Sequence, residues 1–312
     1  VHYATNFGVP IYEVKDETLR NMGVVLHHIS IEKNPFKIRK NIWALRELIR
    51  IIDREAISVV HCHNPNGGVL GRLAAVLSKR KPFVVYTAHG FHFFQGAPVK
   101  NWLFYYPVEK VLAKFSDIII TINHEDYTRA DKFHYKKGRV ITIYNWIDER
   151  IQKAASPYDS NSSKILTAGR FSKEKGMDLL VDTAAALAKK TTDFVWEVYG
   201  DGDMFEEIQQ RIEKEGLENN VHLMGLTDHM ESCYQGHSMY VLTSYREGLP
   251  LVLIEAKANA LPLVSFDIVS GPREIIRDGE DGKLIPPYDT EKMAGVIYEL
   301  LKNPEERLRL SN

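Results

Sequence analysis

Cysteine is scarce: Cys62 and Cys233 are the only two in 312 residues. That excludes a disulfide framework and fits a reducing compartment. No stretch reaches the ~20 consecutive apolar residues that a membrane span requires. The chain does not open on a secretory-leader pattern. Metal ligands are thin as well. His61, Cys62 and His63 are adjacent, but neighbours on a strand point to opposite faces and no further ligands follow at metal spacing. The nearest string to an Asp-x-Asp metal triplet, Asp201-Gly202-Asp203, reads as a β–α turn. No repeat of solenoid period is present. What is there, 44% hydrophobic and 26% charged residues, suits a globular chain with room for two domains.

The net charge of −1 hides an asymmetry. Residues 1–148 carry 21 Lys/Arg against 13 Asp/Glu, and residues 149–312 carry 19 against 28. A first half at +8 beside a second half at −9 implies that the first half faces something anionic. An anionic membrane surface and nucleic acid are both candidates, and ordinary solvated surface is the plain alternative. The nucleic-acid reading finds no helix-turn-helix and no RNA-binding aromatic signature.

Strand and helix patterns alternate along the chain. VHYATN and the region of HHIS are β-prone. Residues 37–56 predict an amphipathic helix, with Ile38, Ile42, Leu45, Ile49 and Ile52 as its core stripe. ISVVHCH, PFVVYTAH and FSDIIITI read as strands. A helix over Tyr127 to Phe133 and a strand RVITIYNWIDERI close the first half. SPYDSNSS, from Ser156 to Ser163, is polar and turn-rich. A second series of strands and helices then begins at KILTAG. The expectation is an α/β fold with a domain at 1–150, a linker at 151–163 and a domain at 164–312.

Three stretches carry chemistry. From Thr243 to Pro262 a strand end leads through a glycine-containing loop into a helix, with Pro250 suited to its first turn. Such a helix start offers free N–H groups to an anion. Glu247 in the loop and Glu255 in the helix add acceptors suited to hydroxyls, and a nucleotide sugar has both kinds of group. The loop AGRFSKEKG puts Gly169, Arg170 and Lys175 after the first strand of the acidic half, where a guanidinium fork and a mobile ammonium suit a diphosphate. His89 ends the strand PFVVYTAH at the edge where parallel sheets bind ligands, although a lone histidine there is more often structural. Beyond it, seven of the sixteen residues from Phe91 to Tyr106 are aromatic and only Lys100 is formally charged. Buried core explains part of this; a membrane interface or a lipid-tailed acceptor also fits.

EGLPLVLIEA resembles the Glu-x7-Glu signature of the retaining glycosyltransferases of family four, which have the GT-B architecture. The resemblance covers nearly the whole chain and takes in AGRFSKEKG and SGPREI. HCHNPNGG, YTAHGFHFFQGAPVKNWLFYYP and ITINHEDY are similar to enzymes that build capsular or exopolysaccharide repeat units. The resemblance implies two doubly wound Rossmann-like domains facing a cleft, the first for the acceptor and the second for the nucleotide sugar. It implies that Glu247 contacts the donor sugar and that the loop from Gly248 through Leu249 and Pro250 to Leu251 holds sugar and diphosphate. Glu255 would bind the ribose hydroxyls, and Gly169, Arg170 and Lys175 the diphosphate. His89 would lie close to the donor sugar and share the catalytic role with Glu247. The expected reaction is retaining, metal-independent transfer of a hexose or N-acetylhexosamine, with no cofactor beyond the donor, a UDP-sugar. The expected acceptor is a lipid-diphosphate-linked saccharide, met in the cytoplasm at the inner face of the plasma membrane.

The chain departs from that family at both ends. It opens at what reads as the second strand, and it stops at ERLRLSN, where family members continue with helices that return to the first domain. A missing first strand would leave two sheet edges unpaired. Two rival classes stay open: a nucleotide-sugar epimerase of the same fold, and a non-catalytic subunit that binds nucleotide sugar.

Overall fold

The computed structural model describes residues 1–5, 13–32, 37–136, 138–153, 158 and 161–311. The chain divides into two units, 1–143 and 144–312.

The first unit runs β1 (His2–Thr5), α1 (Glu13–Asn21), β2 (Val25–His28), α2 (Ile38–Arg54), β3 (Val59–His63), α3 (Pro65–Leu77), β4 (Phe83–Ala88), α4 (Val99–Leu112), β5 (Ile118–Thr121), α5 (His124–Ala130) and β6 (Arg139–Thr142). Its strands form two parallel sheets, β1-β2 and β3-β4-β5-β6. Among the described residues, β1 pairs only with β2 and β3 only with β4, so each leaves one side without a strand partner. Apolar packing joins the two sheets: Ile29, beyond β2, shares a core with Ala44 and Ile51 of α2 and Leu70 of α3.

That core corrects the predicted stripe of α2. Ile38 and Ile42 are 61% and 43% exposed, while Ala44, Ile51 and Ile52 are buried. The small Ala44 lets α2 approach α3, and the buried line runs through Ala44, Ile51 and Ile52 rather than the first isoleucines. The last strand of the unit is also shorter than expected, since β6 ends at Thr142. The preceding helix lies earlier than expected, over His124–Ala130.

The second unit runs α6 (Glu149–Lys153), β7 (Lys164–Ala168), α7 (Met177–Ala188), β8 (Val195–Tyr199), α8 (Phe205–Lys214), β9 (Val221–Gly225), α9 (Met230–Cys233), β10 (Met239–Leu242), α10 (Leu251–Ala258), β11 (Leu263–Phe266), α11 (Pro272–Ile275), β12 (Gly282–Ile285), α12 (Thr290–Lys302) and α13 (Pro304–Ser311). Of the expected linker, residues 154–157 and 159–160 lie outside the described residues. Ile151 and Tyr158 pack against the second unit's own core, and the Tyr158 hydroxyl donates to Ser238 O.

All six strands of this unit are parallel, in the order β12-β11-β10-β7-β8-β9. The chain steps outward from β7 to β9, then returns to the other side of β7 at β10. That reversal makes the β7/β10 junction a topological switch point, where the two following loops diverge and leave a crevice. The central strands are tied across the sheet. Buried Trp196 donates through Nε1 to Thr167 Oγ1 (3.0 Å), which donates to Val241 O (2.6 Å). The β7–β10 ladder pairs only Met239 with Ile165 and Tyr240 with Leu166. Where the strands part, the Tyr240 hydroxyl accepts from Ala168 N at 3.0 Å and donates to Ala168 O at 2.9 Å, so the buried backbone stays satisfied.

Candidate active site

The crevice at the switch point is built from the loops after β7 and β10. The first contains Gly169, Arg170 and Lys175. The second contains Glu247, Gly248, Leu249 and Pro250 and leads into α10, which starts at Leu251. The backbones lock together: Tyr245 N donates to Glu174 O at 2.9 Å. Gly176 has φ +61, and a Cβ there would lie 2.1 Å from Thr243 O, so only glycine allows this approach. Likewise a Cβ on Gly200 would lie 1.9 Å from Gly169 O.

Across this seam Lys175 Nζ donates to both Glu247 carboxylate oxygens, at 2.7 and 2.9 Å. Glu247 is buried, and Ser244 Oγ donates to its Oε1 at 2.7 Å. Its backbone carbonyl accepts from Ser270 Oγ at 2.8 Å, in the loop before α11. Desolvating a carboxylate is costly unless it is paired and hydrogen-bonded, and this one is both. The Lys175 stem passes 3.9 Å from where a Gly169 Cβ would stand, an ordinary contact distance, so the two residues are neighbours in the crevice. Arg170 is exposed beside them.

Pro250 stands at the N-cap, one residue before the first turn expected for it, and α10 starts without a side-chain cap. The first N–H groups of a helix have no partner within it, so those of Leu251 and Val252 are available to an acceptor. One turn on, Glu255 Oε2 accepts from the Tyr234 hydroxyl. Tyr234 is buried and holds its proton firmly, because desolvation and then the neighbouring Tyr240 and Glu255 raise its pKa. It therefore acts as a fixed donor that orients Glu255.

Sequence reasoning missed Tyr234, whose partner Glu255 lies 21 residues on, and Ser244, whose S-x-x-E spacing to Glu247 was the available signal. Asp201 of the acidic pair folds onto its own turn, where its carboxylate accepts from Gly202 N at 2.7 Å. Among the described residues no group of three His, Cys, Asp or Glu side chains could hold a metal ion.

In the first unit His89 follows β4. Its Nε2 lies 3.0 Å from Nδ1 of His63, and the two rings stack. His61 lies two residues before His63 on the same strand face, with its Nε2 2.8 Å from Thr87 Oγ1. Cys62 points the other way and is buried beside Gly71 of α3, where a Cβ would lie 2.4 Å from its sulfur. The strand alternation that argued against a metal reading is thus present: it sets His61 and His63 on one face of β3, and the loop after β4 brings His89 against His63. Partial burial, and then the nearby His61 and His89, push the His63 pKa down to about 4. Burial lowers that of His89 too.

A second support was also unread. Asp126 Oδ2 accepts from Phe91 N at 3.2 Å, two residues after His89, and from Asn123 Nδ2 at 3.1 Å. Asn123 caps α5 by accepting from Asp126 N at 2.7 Å. The N-x-x-D spacing in ITINHED is the signal that could have found this pair.

Two family descriptions match: Glycosyltransferase Family 4 over residues 6–150 and Glycosyl transferases group 1 over residues 148–312. The putative glycosyltransferase EpsD of Bacillus subtilis is 36% identical over 290 residues, 89% of this chain and 76% of that protein. The chain belongs to the family-four glycosyltransferases. This glycosyltransferase is also 26% identical over 275 residues to the Escherichia coli UDP-Gal:alpha-D-GlcNAc-diphosphoundecaprenol alpha-1,3-galactosyltransferase, 84% of the chain and 70% of that enzyme. Among solved structures, Anabaena HepE with UDP and glucose superposes with a TM-score of 0.77 at 16% identity, over 100% of this chain and 92% of that one. That likeness shows the shared GT-B fold.

Proposed function

We propose that this glycosyltransferase moves a hexose or N-acetylhexosamine, with retention at the anomeric carbon and without a metal, from a UDP-sugar to a lipid-linked or saccharide acceptor of a surface polysaccharide. The observation that carries the reading is the Lys175–Glu247 ion pair at the switch point of the second unit.

Breaking the sugar–phosphate bond sends an electron pair to the leaving diphosphate and leaves positive character on the sugar ring. A lysine has three N–H donors, and two of those on Lys175 engage Glu247, so one remains for a phosphate oxygen. Arg170 adds a guanidinium fork and the start of α10 adds backbone N–H groups. Together they stabilise the departing charge in place of a metal. Glu247, held rigidly from three sides, stabilises the sugar end. Glu255, fixed by Tyr234, takes the ribose hydroxyls. The acceptor hydroxyl attacks from the face that the diphosphate leaves and gives that diphosphate its proton. His89, oriented through His63, is assigned to the donor sugar.

The nucleotide and the acceptor class draw support from relatives: the HepE structure carries UDP, and the E. coli enzyme is named for a diphosphoundecaprenol substrate. The first half's positive charge supports work at the inner, anionic face of the plasma membrane, from the cytoplasm. The test is nucleotide release from a panel of UDP- and GDP-sugars, with and without a lipid-diphosphate-linked sugar. Acceptor-dependent release from a UDP-sugar is the expected result. Interconversion of the donor sugar without an acceptor would point to an epimerase, and nucleotide binding without release to a binding subunit.

A further inference from the structure

We propose that the outward face of α4 docks the protein on an anionic lipid bilayer. The proposal deepens the membrane-side reading above and rests on it only for what the docking serves.

Surface helices ordinarily turn their apolar side inward. In α4 Leu112 and Tyr106 pack inward, but apolar residues line the outward side as well. Val99, Leu103, Pro107 and Val111 recur every fourth residue and all are exposed, with Phe104 and Val108 beside them. Val99, Leu103 and Phe104 are 73%, 68% and 70% exposed. The acid of the helix faces in: Glu109 is buried, accepts from Arg72 Nη2 at 2.8 Å, and accepts from the Tyr86 hydroxyl at 3.2 Å. A contiguous apolar face of this kind on a soluble chain marks a partner surface.

The charges select the partner. From Phe91 to Ser116 the only formal charges are Lys100, Glu109, Lys110 and Lys114. Since Glu109 is neutralised inside by Arg72, α4 and the turn that follows it present three lysines, Lys100 and Lys110 on the helix and Lys114 just beyond it, and no acid. A second copy docked on the same face would set lysines against lysines. An anionic lipid surface complements them. Trp102 and Tyr105 flank the stripe with amphipathic rings suited to the headgroup layer. At 14 residues α4 is about 21 Å long. No helix among the described residues is long and apolar enough to cross a membrane, so α4 lies in the plane of the interface.

The test is flotation of the whole protein with phosphatidylcholine vesicles, with and without phosphatidylglycerol. Binding is expected to the anionic vesicles and to weaken with salt. Leu103→Gln with Phe104→Gln, both at exposed positions, should lower binding about tenfold or more. Lys100→Glu with Lys114→Glu should remove the preference for anionic lipid. UDP affinity serves as the fold control for each variant. No vesicle binding by the wild type, or undiminished binding by the Leu103/Phe104 variant, overturns the proposal. So does concentration-dependent self-association, without vesicle binding, that this variant abolishes. Vesicle binding with no nucleotide release from any donor would sink the transferase reading and leave the docking surface standing.

Discussion

Lys175 and Glu247 stand 72 residues apart in the chain, yet the lysine Nζ lies 2.7 and 2.9 Å from the two carboxylate oxygens. They meet because the strand order reverses between β7 and β10. The pair sets a cation in the crevice and fixes a carboxylate beside it. Glu247→Gln keeps the shape and removes the charge. It should cut transfer by about a hundredfold or more while UDP binding survives. Lys175→Met should weaken UDP-sugar binding by roughly 1.5–3 kcal/mol. It should also destabilise the second unit, since it strands a buried carboxylate. Steady-state kinetics, UDP titration and thermal unfolding separate these effects.

Gly176→Ala tests the backbone seam without touching a charge. A Cβ at φ +61 would stand 2.1 Å from Thr243 O, so the two loops must part. A loss of about 2 kcal/mol or more in stability is expected, with a matching fall in UDP affinity. Calorimetry of free and UDP-bound protein reads both.

Tyr234→Phe removes the hydroxyl that holds Glu255 and nothing else. If Glu255 binds the ribose, KM for the donor should rise roughly five- to tenfold, with kcat little changed. A nucleotide lacking the ribose hydroxyls should be bound equally by wild type and variant.

The histidine face carries a pH signature. The folded-state pKa of His63 is pushed down to about 4, against 6.5 in an unfolded chain. Above pH 6.5 the group is neutral in both states and its contribution to stability is complete. As pH falls from 6.5 towards 4 the unfolded chain takes up the proton first, so stability declines. Below about 4 both states are protonated and the loss stops. His63→Gln should therefore reduce the proton uptake on unfolding between pH 4 and 6.5 by up to one. Denaturant titrations across that range measure it.

The Arg72–Glu109 pair anchors α4 from inside, with the guanidinium 4.0 Å from the centre of the Tyr86 ring. Arg72→Leu alone should cost about 3–5 kcal/mol, because Glu109 is left charged and buried. Adding Glu109→Leu should restore much of that loss. A double-mutant cycle by urea unfolding gives the coupling.

The alternation of strands and helices was legible in the sequence, and so were the strings around Lys175 and Glu247. Their pairing was not, since adjacency of β7 and β10 is a property of strand order that local patterns do not carry. The same holds for Tyr234 with Glu255, and for His63 with His89. α1 went unread because EVKDETLRN holds only two apolar residues, Val14 and Leu19, too few for a stripe. The stripe of α2 was misplaced because large isoleucines outweighed Ala44, whose small size lets the helices touch. In α4 apolar residues line the outward side as well as the inward one, which periodicity alone cannot distinguish from a wholly buried helix.

The most direct test of the account is nucleotide release from a UDP-sugar panel by wild type and Glu247→Gln, with a lipid-diphosphate-linked acceptor and membranes present. The account predicts acceptor-dependent release from at least one donor by the wild type, and its loss in the variant with UDP binding intact. Equal release by both proteins would contradict it.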